Sequence, residues 1–377
     1  MNDNAHIDVV IVGGGLAGLT AAIHLSKKGI AVLVIEKNNY PKHKVCGEYV
    51  SNEILPYLQS LAIDPYRHGA KKISRFLLST PNSKSIETQL PLGGFGISRY
   101  TLDYLLWQKA RASGAQCVQD TVTDIQFVNN TFEIKTKNKQ YQSKMAIGAY
   151  GKRSNLDSTL HRDFITKKSP FLAVKTHLKG DFPSDLVALH NFKGGYCGLS
   201  KTENDNINAC YITNYKAFKP YKNIQNFQEK VLCKNRFLKE VFENSIAVFD
   251  KPLTISQVSF YTKKPVEQHI LMCGDSAGMI HPLAGNGMSM AIRSGRLVSQ
   301  LLIDYFSEKK ATRATLEKKY KQQWNTAFKR RLKTGHIIAS LFEMEYISEI
   351  MLMALKGFPS VLPKIIEQTH GKPLIIK

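Results

Sequence analysis

Residues 274–288 read GDSAGMIHPLAGNGM and run directly into the apolar stretch SMAIRSGRLVSQLL. Asp275 offers a carboxylate that can accept hydrogen bonds from ligand hydroxyls. Gly285 and Gly287 leave bare backbone at the start of a helix, where N–H groups and partial positive charge favour an anionic or electron-rich edge. A second glycine set, Gly13-Gly14-Gly15-Leu16-Ala17-Gly18, fits G-x-G-x-x-G. In that pattern Gly13 allows a tight turn, Gly15 lets backbone approach a pyrophosphate, and Gly18 lets helix and strand pack closely. Glu36 follows eighteen residues beyond Gly18, at the end of the next strand, where an acid can bond ribose hydroxyls. The chemistry of this second set is that of a dinucleotide, its pyrophosphate held by backbone amides and its ribose by Glu36.

Rigid elements must hold these groups. IDVVIVGGGLAGLTAAIHLSKKGIAVLVIEK reads as a strand over 7–12, a glycine turn, a helix over 16–28 and a strand over 31–35. The flanking runs are continuously β-branched, as expected of parallel strands buried on both faces. SNEILPYLQSL reads as a helix with Ser51 as N-cap. ISRFLLST and SIETQLPL read as strands around a turn, and RYTLDYLLWQKARASG as an amphipathic helix with Leu102, Leu105, Leu106 and Ala110 inward. VTDIQFV and TFEIKTK make a further hairpin, residues 171–260 are mostly strands around a helix near 227–239, and HILMCGD is another buried strand. From Gly287 onward the chain reads as helical.

Together the two glycine motifs resemble a large FAD oxidoreductase superfamily that includes aromatic hydroxylases and geranylgeranyl reductases. G-D-x-A at 274–277, Pro282 and the Gly285/Gly287 pair match its C-terminal flavin motif. The resemblance implies an α/β fold: a Rossmann-like FAD-binding domain of the glutathione-reductase/hydroxylase type, an inserted β-rich substrate domain and a helical C-terminus. The FAD-binding domain is expected over 1–70, 98–165 and 264–308. The substrate domain is expected over 71–97 and 166–263, and the helical region over 309–377. Asp275 is the implied ribityl partner, and the Gly287–Met288 turn would face the flavin's N1–C2=O edge, where reduced flavin carries negative charge. Gly13, Gly15, Leu16, Ala17, Gly18, Glu36 and Lys37 are expected at the other end of FAD. ISRYTLD matches an R-x-x-x-D segment that makes Arg99 an FAD contact; an Arg99–Asp103 pair at a helix start is the alternative reading. VTDI, beginning at Val122, lies where the family places a strand near the adenine. KHKVCGE matches a K-x-C-G segment beside the isoalloxazine ring.

Departures from the pattern bear on the reaction. The hydroxylases carry Asp-Gly where this chain has GAYGKRS, with Tyr150 replacing the aspartate. They also follow G-D-x-A with His, whereas Gly278 stands here, as in geranylgeranyl reductases. GGYCGLSKTENDNINACYI is similar to the reductases' paired strands, with Asn208 at a family position, although the Y-x-W-x-F-P signature is missing. The resemblance therefore favours a reductase that passes hydride to a double bond of a lipophilic, isoprenoid or polyene-like substrate. The second reading is a monooxygenase using NAD(P)H and O2. Either needs a reductant, NAD(P)H or a ferredoxin-like donor.

Cys46 and Glu48 are the candidate catalytic residues. A thiol beside Lys42 and Lys44 can donate or relay the proton that accompanies hydride transfer; a buried inert cysteine is the alternative. His281 is either a proton donor or a packing residue. His43, His161, His177 and His190 show no partner at ligand spacing, and no metal is expected.

Six scattered cysteines without a C-x-x-C pair argue against zinc or a disulfide framework and suit a reducing cytoplasm. The start, MNDNAHID, lacks a signal peptide's basic region. The apolar run over 9–23 contains four glycines and is short for a membrane span. The net charge of +22 is not uniform: over 309–333 ten Lys or Arg meet a single acid, Glu317. Leu316, Tyr320, Trp324, Phe328 and Leu332 recur every four residues there, a packing stripe. The opposite face is either plain solvated surface or a peripheral contact with anionic membrane. No RNA-binding signature accompanies it, so nucleic acid is not an expected partner. The Met- and Leu-rich C-terminus, interrupted by Glu349, Lys356 and Pro359, reads as a helical cap or a lipid-facing mouth.

Overall fold

The computed structural model describes residues 6–281, 285–308, 310–343 and 345–375, with the side chains of 341–347 left aside. Pro282 of the flavin motif and Lys309 of the basic run lie outside the described residues.

Fully buried β-branched runs build the first sheet. Val9–Val12 and Val32–Glu36 pair in parallel, as their lack of polar alternation requires. Among the described residues this sheet has six strands: Val266–Glu267, Ile270–Met272, Met145–Gly148, Val9–Val12, Val32–Glu36 and Gln116–Gln119, in that spatial order. The helix Leu16–Ser26 connects the first pair and is buried almost all round, because the 21-residue helix Gly287–Ser307 and the helix Arg99–Ala112 pack on it. The hairpin expected from VTDI is present as Val122–Val128 and Thr131–Thr136 within a separate three-stranded sheet.

Among the described residues a second sheet has nine strands and is mostly antiparallel. Its strands Phe171–Lys179 and Ile207–Asn214 pair so that Lys175 faces Cys210 and His177 faces Asn208. Tyr49–Ser51, expected as the approach to a helix, is a short strand paired with Gly94–Gly96 of this second sheet. Ser51 then caps as anticipated, accepting from the Glu53 amide, and a 3-10 turn leads into the helix Leu55–Ser60.

The basic run folds as part of the helix Arg313–Glu343. Leu316, Tyr320, Trp324 and Phe328 are buried in the main core and Leu332 packs against it. Two helices follow, Glu345–Gly357 and Val361–Thr369, divided where Gly357 and Pro359 stop the first. Among the described residues no helix is long and apolar enough to cross a membrane.

Candidate active site

The turn after Val9–Val12 works because Gly13 has a φ of +106°, and a Cβ there would lie 2.4 Å from the Ala149 carbonyl oxygen. Gly18 packs on that turn one helical step later. Gly15 is the N-cap of Leu16–Ser26 and supplies no side-chain bond to its first amides. Gly287–Ser307 likewise starts on Asn286 without a side-chain cap. Helix starts left this way present N–H groups to whatever lies in front of them. The helix Arg99–Ala112 differs, since Ser98 caps it by accepting from Thr101.

In front of both uncapped starts is one cavity of about 760 Å³. Gly15, Leu16, Ala17, Glu36, Lys37, Arg99, Asp275, Gly285, Gly287 and Met288 line it, together with Cys46 and Glu48. The chamber then continues over the second sheet, past Leu78, Leu189, Tyr196 and Ile212, to the inner faces of the C-terminal helices at Ile338, Leu355, Leu362 and Ile366. Its first part carries backbone amides and carboxylates; its last part is apolar. Gly13, Gly18 and Val122 stand behind the wall rather than on it.

Several polar groups on the wall are oriented. Glu36 accepts from the Gly14 amide at 2.8 Å and from the Asn38 amide at 3.0 Å. Arg99 forms a two-pronged pair with Asp103 (2.7 and 2.8 Å), and Lys44 donates to the same carboxylate at 2.8 Å. The two readings of Arg99 are thus compatible: its guanidinium is anchored by Asp103 while it lines the cavity. Burial alone would raise the Asp103 carboxyl, but the Arg99 and Lys44 charges outweigh it and hold it below the usual carboxylate range.

The Asp275 turn is fixed through its backbone. Lys263 donates to the Asp275 and Lys152 carbonyls at 2.8 and 2.7 Å, and the Gly274 amide donates to Ser294 Oγ at 2.8 Å. Burial pulls the Lys263 ammonium down to about 8. Gly278, which distinguishes the reductase pattern, has a packing reason here: a Cβ would come within 2.9 Å of the Trp324 ring. Tyr150 also lines the cavity, and its hydroxyl approaches Met272 Sδ at 3.6 Å.

Sequence reasoning missed two buried clusters. Glu48, fully buried, accepts from Lys175 Nζ at 2.5 Å and from the Arg99 amide at 2.7 Å, and shares a hydrogen bond with His177 at 2.7 Å. It lines the cavity with Cys46, as a carboxylate held below its usual range. Burial opposes ionisation, and Lys175 and then His177 overcome it. His177, which offered no partner at sequence spacing, therefore has one across 129 residues. The signal was present in AVKTH, where Lys175 and His177 alternate onto one strand face. Donor atoms of His43, Glu48 and His177 lie within 4.8 Å of one another. The Lys175 ammonium on the same carboxylate already supplies the positive charge a metal would bring, and opposes a second cation.

The other cluster centres on Glu53, which takes hydrogen bonds from Arg331, Asn286 and the Gly371 amide. No local pattern announces it. His281 packs among Phe171, Tyr196 and Phe260, and burial pushes its ring down to about 3. All six cysteines are free thiols.

Two uncapped helix starts, the Glu36 carboxylate held by the Gly14 amide, and a guanidinium anchored by Asp103 fit an FAD molecule in the cavity. Comparison with known proteins agrees. Residues 6–324 match the FAD binding domain family, and the chain belongs to it. A digeranylgeranylglycerophospholipid reductase of Methanopyrus kandleri is 25% identical, with 92% of this chain and 89% of that protein covered. Conditioned medium factor receptor 1 of Dictyostelium discoideum is 23% identical, covering 96% of this chain and 73% of that one. Among solved structures, a triple mutant of the flavin-dependent brominase Bmp2 superposes with a TM-score of 0.79 at 18% identity, covering 96% and 94% of the two chains. That likeness is one of fold. The protein is an FAD-dependent oxidoreductase with a Rossmann-like core.

Proposed function

We propose that this oxidoreductase is a reductase acting on a double bond of a lipophilic, isoprenoid or polyene-like substrate. The observation that carries this reading is the continuity of the cavity, from amide- and carboxylate-lined turns into an apolar chamber roofed by the C-terminal helices. The relatives named as digeranylgeranylglycerophospholipid reductases support the same substrate class.

When bound, the flavin supplies two electrons as hydride. The chain does the rest. The amides at Gly15–Ala17 and the anchored Arg99 bind the pyrophosphate, Glu36 and Lys37 hold the adenosine end, and Asp275 orients the ribityl chain. The Gly287–Met288 amides stabilise charge at the pyrimidine edge, by about 0.3–1 kcal/mol or more in a partly buried site. The apolar wall excludes water, and Cys46 donates the proton to the second alkene carbon. Cys46→Ser with unchanged turnover would remove that last assignment. A reduced nicotinamide, NAD(P)H, or a ferredoxin-like protein restores the flavin.

A monooxygenase using NAD(P)H and O2 is the second reading, because a dry apolar chamber also suits oxygen delivery. Tyr150 in place of the hydroxylases' aspartate weighs against it. Product mass with a polyisoprenoid substrate, in air and without it, separates the two. A gain of two hydrogens without oxygen supports the reductase; a gain of one oxygen only in air overturns it.

A lipophilic substrate would suit work from the cytoplasm at a membrane surface. Ile337, Ile350, Met353 and Val361 are exposed on the C-terminal helices that also line the chamber, and Phe358 is exposed in the turn between the last two. Clustered Lys and Arg add about 1 kcal/mol each near anionic lipid.

A further inference from the structure

Three side chains on two neighbouring strands of the second sheet address one loop of the FAD-binding unit. Along Phe171–Lys179, Ala173, Lys175 and His177 share a face, and Asn208 lies in register opposite His177. Lys175 Nζ donates to the Lys44 carbonyl at 3.3 Å as well as to Glu48. Asn208 Nδ2 donates to the Cys46 carbonyl at 3.2 Å, and His177 bonds Glu48. The loop 44–48 is thus tied at Lys44, Cys46 and Glu48, with Cys46 on the cavity wall.

Stability alone does not account for this arrangement. Lys175 and Glu48 are both fully buried, and a buried ion pair gives little or no net stability over apolar residues of the same volume. Glu48 also has a φ of +53°, a left-handed conformation that carries a cost for a residue with a Cβ. What the pair does supply is direction. The Glu48 carboxylate joins a strand of the substrate sheet to the Arg99 amide at the start of the Arg99–Ala112 helix. Asp103 meanwhile joins Arg99 to Lys44 from the other side. Cys46 sits between these two clamps.

We propose that Lys175 and His177 are positioning residues of the redox site: acting through Glu48, they fix the 44–48 loop, and with it Cys46, against the flavin end of the cavity. The inference rests on the assignment of that cavity to FAD and is independent of the choice between reductase and monooxygenase. Substrate seated on the second sheet, at Ala173 and Ile212, would then bear directly on the loop beside the flavin.

The test uses the full chain, with and without FAD. Three measurements are made: alkylation of Cys46 by a maleimide, located by peptide mass; the midpoint potential of the bound flavin; and thermal stability. Lys175→Met strips the ammonium from a buried carboxylate and can fail to fold, so the double variant Glu48→Gln/Lys175→Met carries the test, beside His177→Phe and Lys175→Arg. The double variant is expected to melt near the wild type while Cys46 alkylation rises at least tenfold and the flavin potential shifts. His177→Phe, which keeps the ring against Phe249 (centroids 4.8 Å apart), should move both readouts in the same direction. Lys175→Arg, which keeps the charge, should restore most of the protection. Wild-type alkylation and potential in the double variant and in His177→Phe would overturn the proposal and leave the cluster as packing. Failure of the FAD assignment reads differently, as a wild-type protein that binds no flavin.

Discussion

Asn286 donates its side-chain amide to Glu53 at 3.0 Å, across 233 residues of sequence. Asn286 stands immediately before the uncapped start of Gly287–Ser307. Its amide also reaches the Thr369 carbonyl at 3.0 Å, at the end of the last helix. Arg331 donates to the same carboxylate from the long basic helix at 3.0 Å. One buried acid therefore binds the Asn286–Gly287 turn to the C-terminal helices that line the apolar chamber.

Removing that acid should loosen both. Burial would raise the Glu53 carboxyl, but Arg331 and the Asn286 amide hold it below the usual range, so it is ionised and paired. Breaking a buried pair from one side costs about 3–5 kcal/mol. Glu53→Ala is expected to lower unfolding free energy by that order, and limited proteolysis should cut first within 345–375. A variant with wild-type stability and an uncleaved C-terminus would contradict this coupling.

Asp275→Ala should leave the fold intact while weakening FAD. A hydrogen bond from a ligand hydroxyl to a carboxylate contributes about 1.5–3 kcal/mol, or roughly 10- to 100-fold in affinity. Flavin fluorescence titration of the apoprotein measures it. Full flavin occupancy at wild-type affinity would show that Asp275 does not hold the ribityl chain.

Acid should destabilise the protein well above the carboxylate range. Burial lowers His281 from an ordinary 6.5 to about 3, and His190 likewise to about 3; burial with Lys175 and His177 takes His43 to about 4. These rings stay neutral in the fold while their unfolded counterparts bind protons. Their contribution is fully present above pH 6.5 and is lost as pH falls toward 3–4. Each group removes up to about 1.4 kcal/mol per pH unit in that window. Glu48, Glu53 and Asp103 add a further loss only below about pH 4.5, since their folded values are depressed. Urea unfolding between pH 7 and 4.5 should show the decline, with a shallower slope for His281→Gln. Identical slopes would mean that His281 titrates normally in the fold.

Membrane association should be reversible and sensitive to salt. The exposed set includes Phe358 at 69% and Met353 at 55% exposure, large values for apolar side chains beside a basic helix. Flotation with anionic vesicles is expected at low salt and should fall at high salt or with Phe358→Ser/Met353→Ser. No flotation with anionic vesicles at low salt would remove the surface-binding proposal and leave the flavin assignment standing.

The sequence by itself determined what depends on a residue and its near neighbours. The strand–turn–helix at 9–26 was legible because β-branched runs and Gly13 leave the backbone few alternatives. The Ser51 cap and the stripe from Leu316 to Phe328 followed from equally local rules. The two glycine motifs were enough to name the cofactor, since backbone amides at a helix start bind anions wherever the helix lies. Only the tertiary structure decided what those pieces enclose. The strand Tyr49–Ser51 is three residues long and exists because Gly94–Gly96 pairs with it. Lys175 could not be read as a partner of Glu48 from a spacing of 127 residues, nor Glu53 as a partner of Arg331 from 278. A buried charge is tolerable only where folding brings its counter-charge, and that meeting is set by how two sheets and the C-terminal helices pack, not by any local pattern.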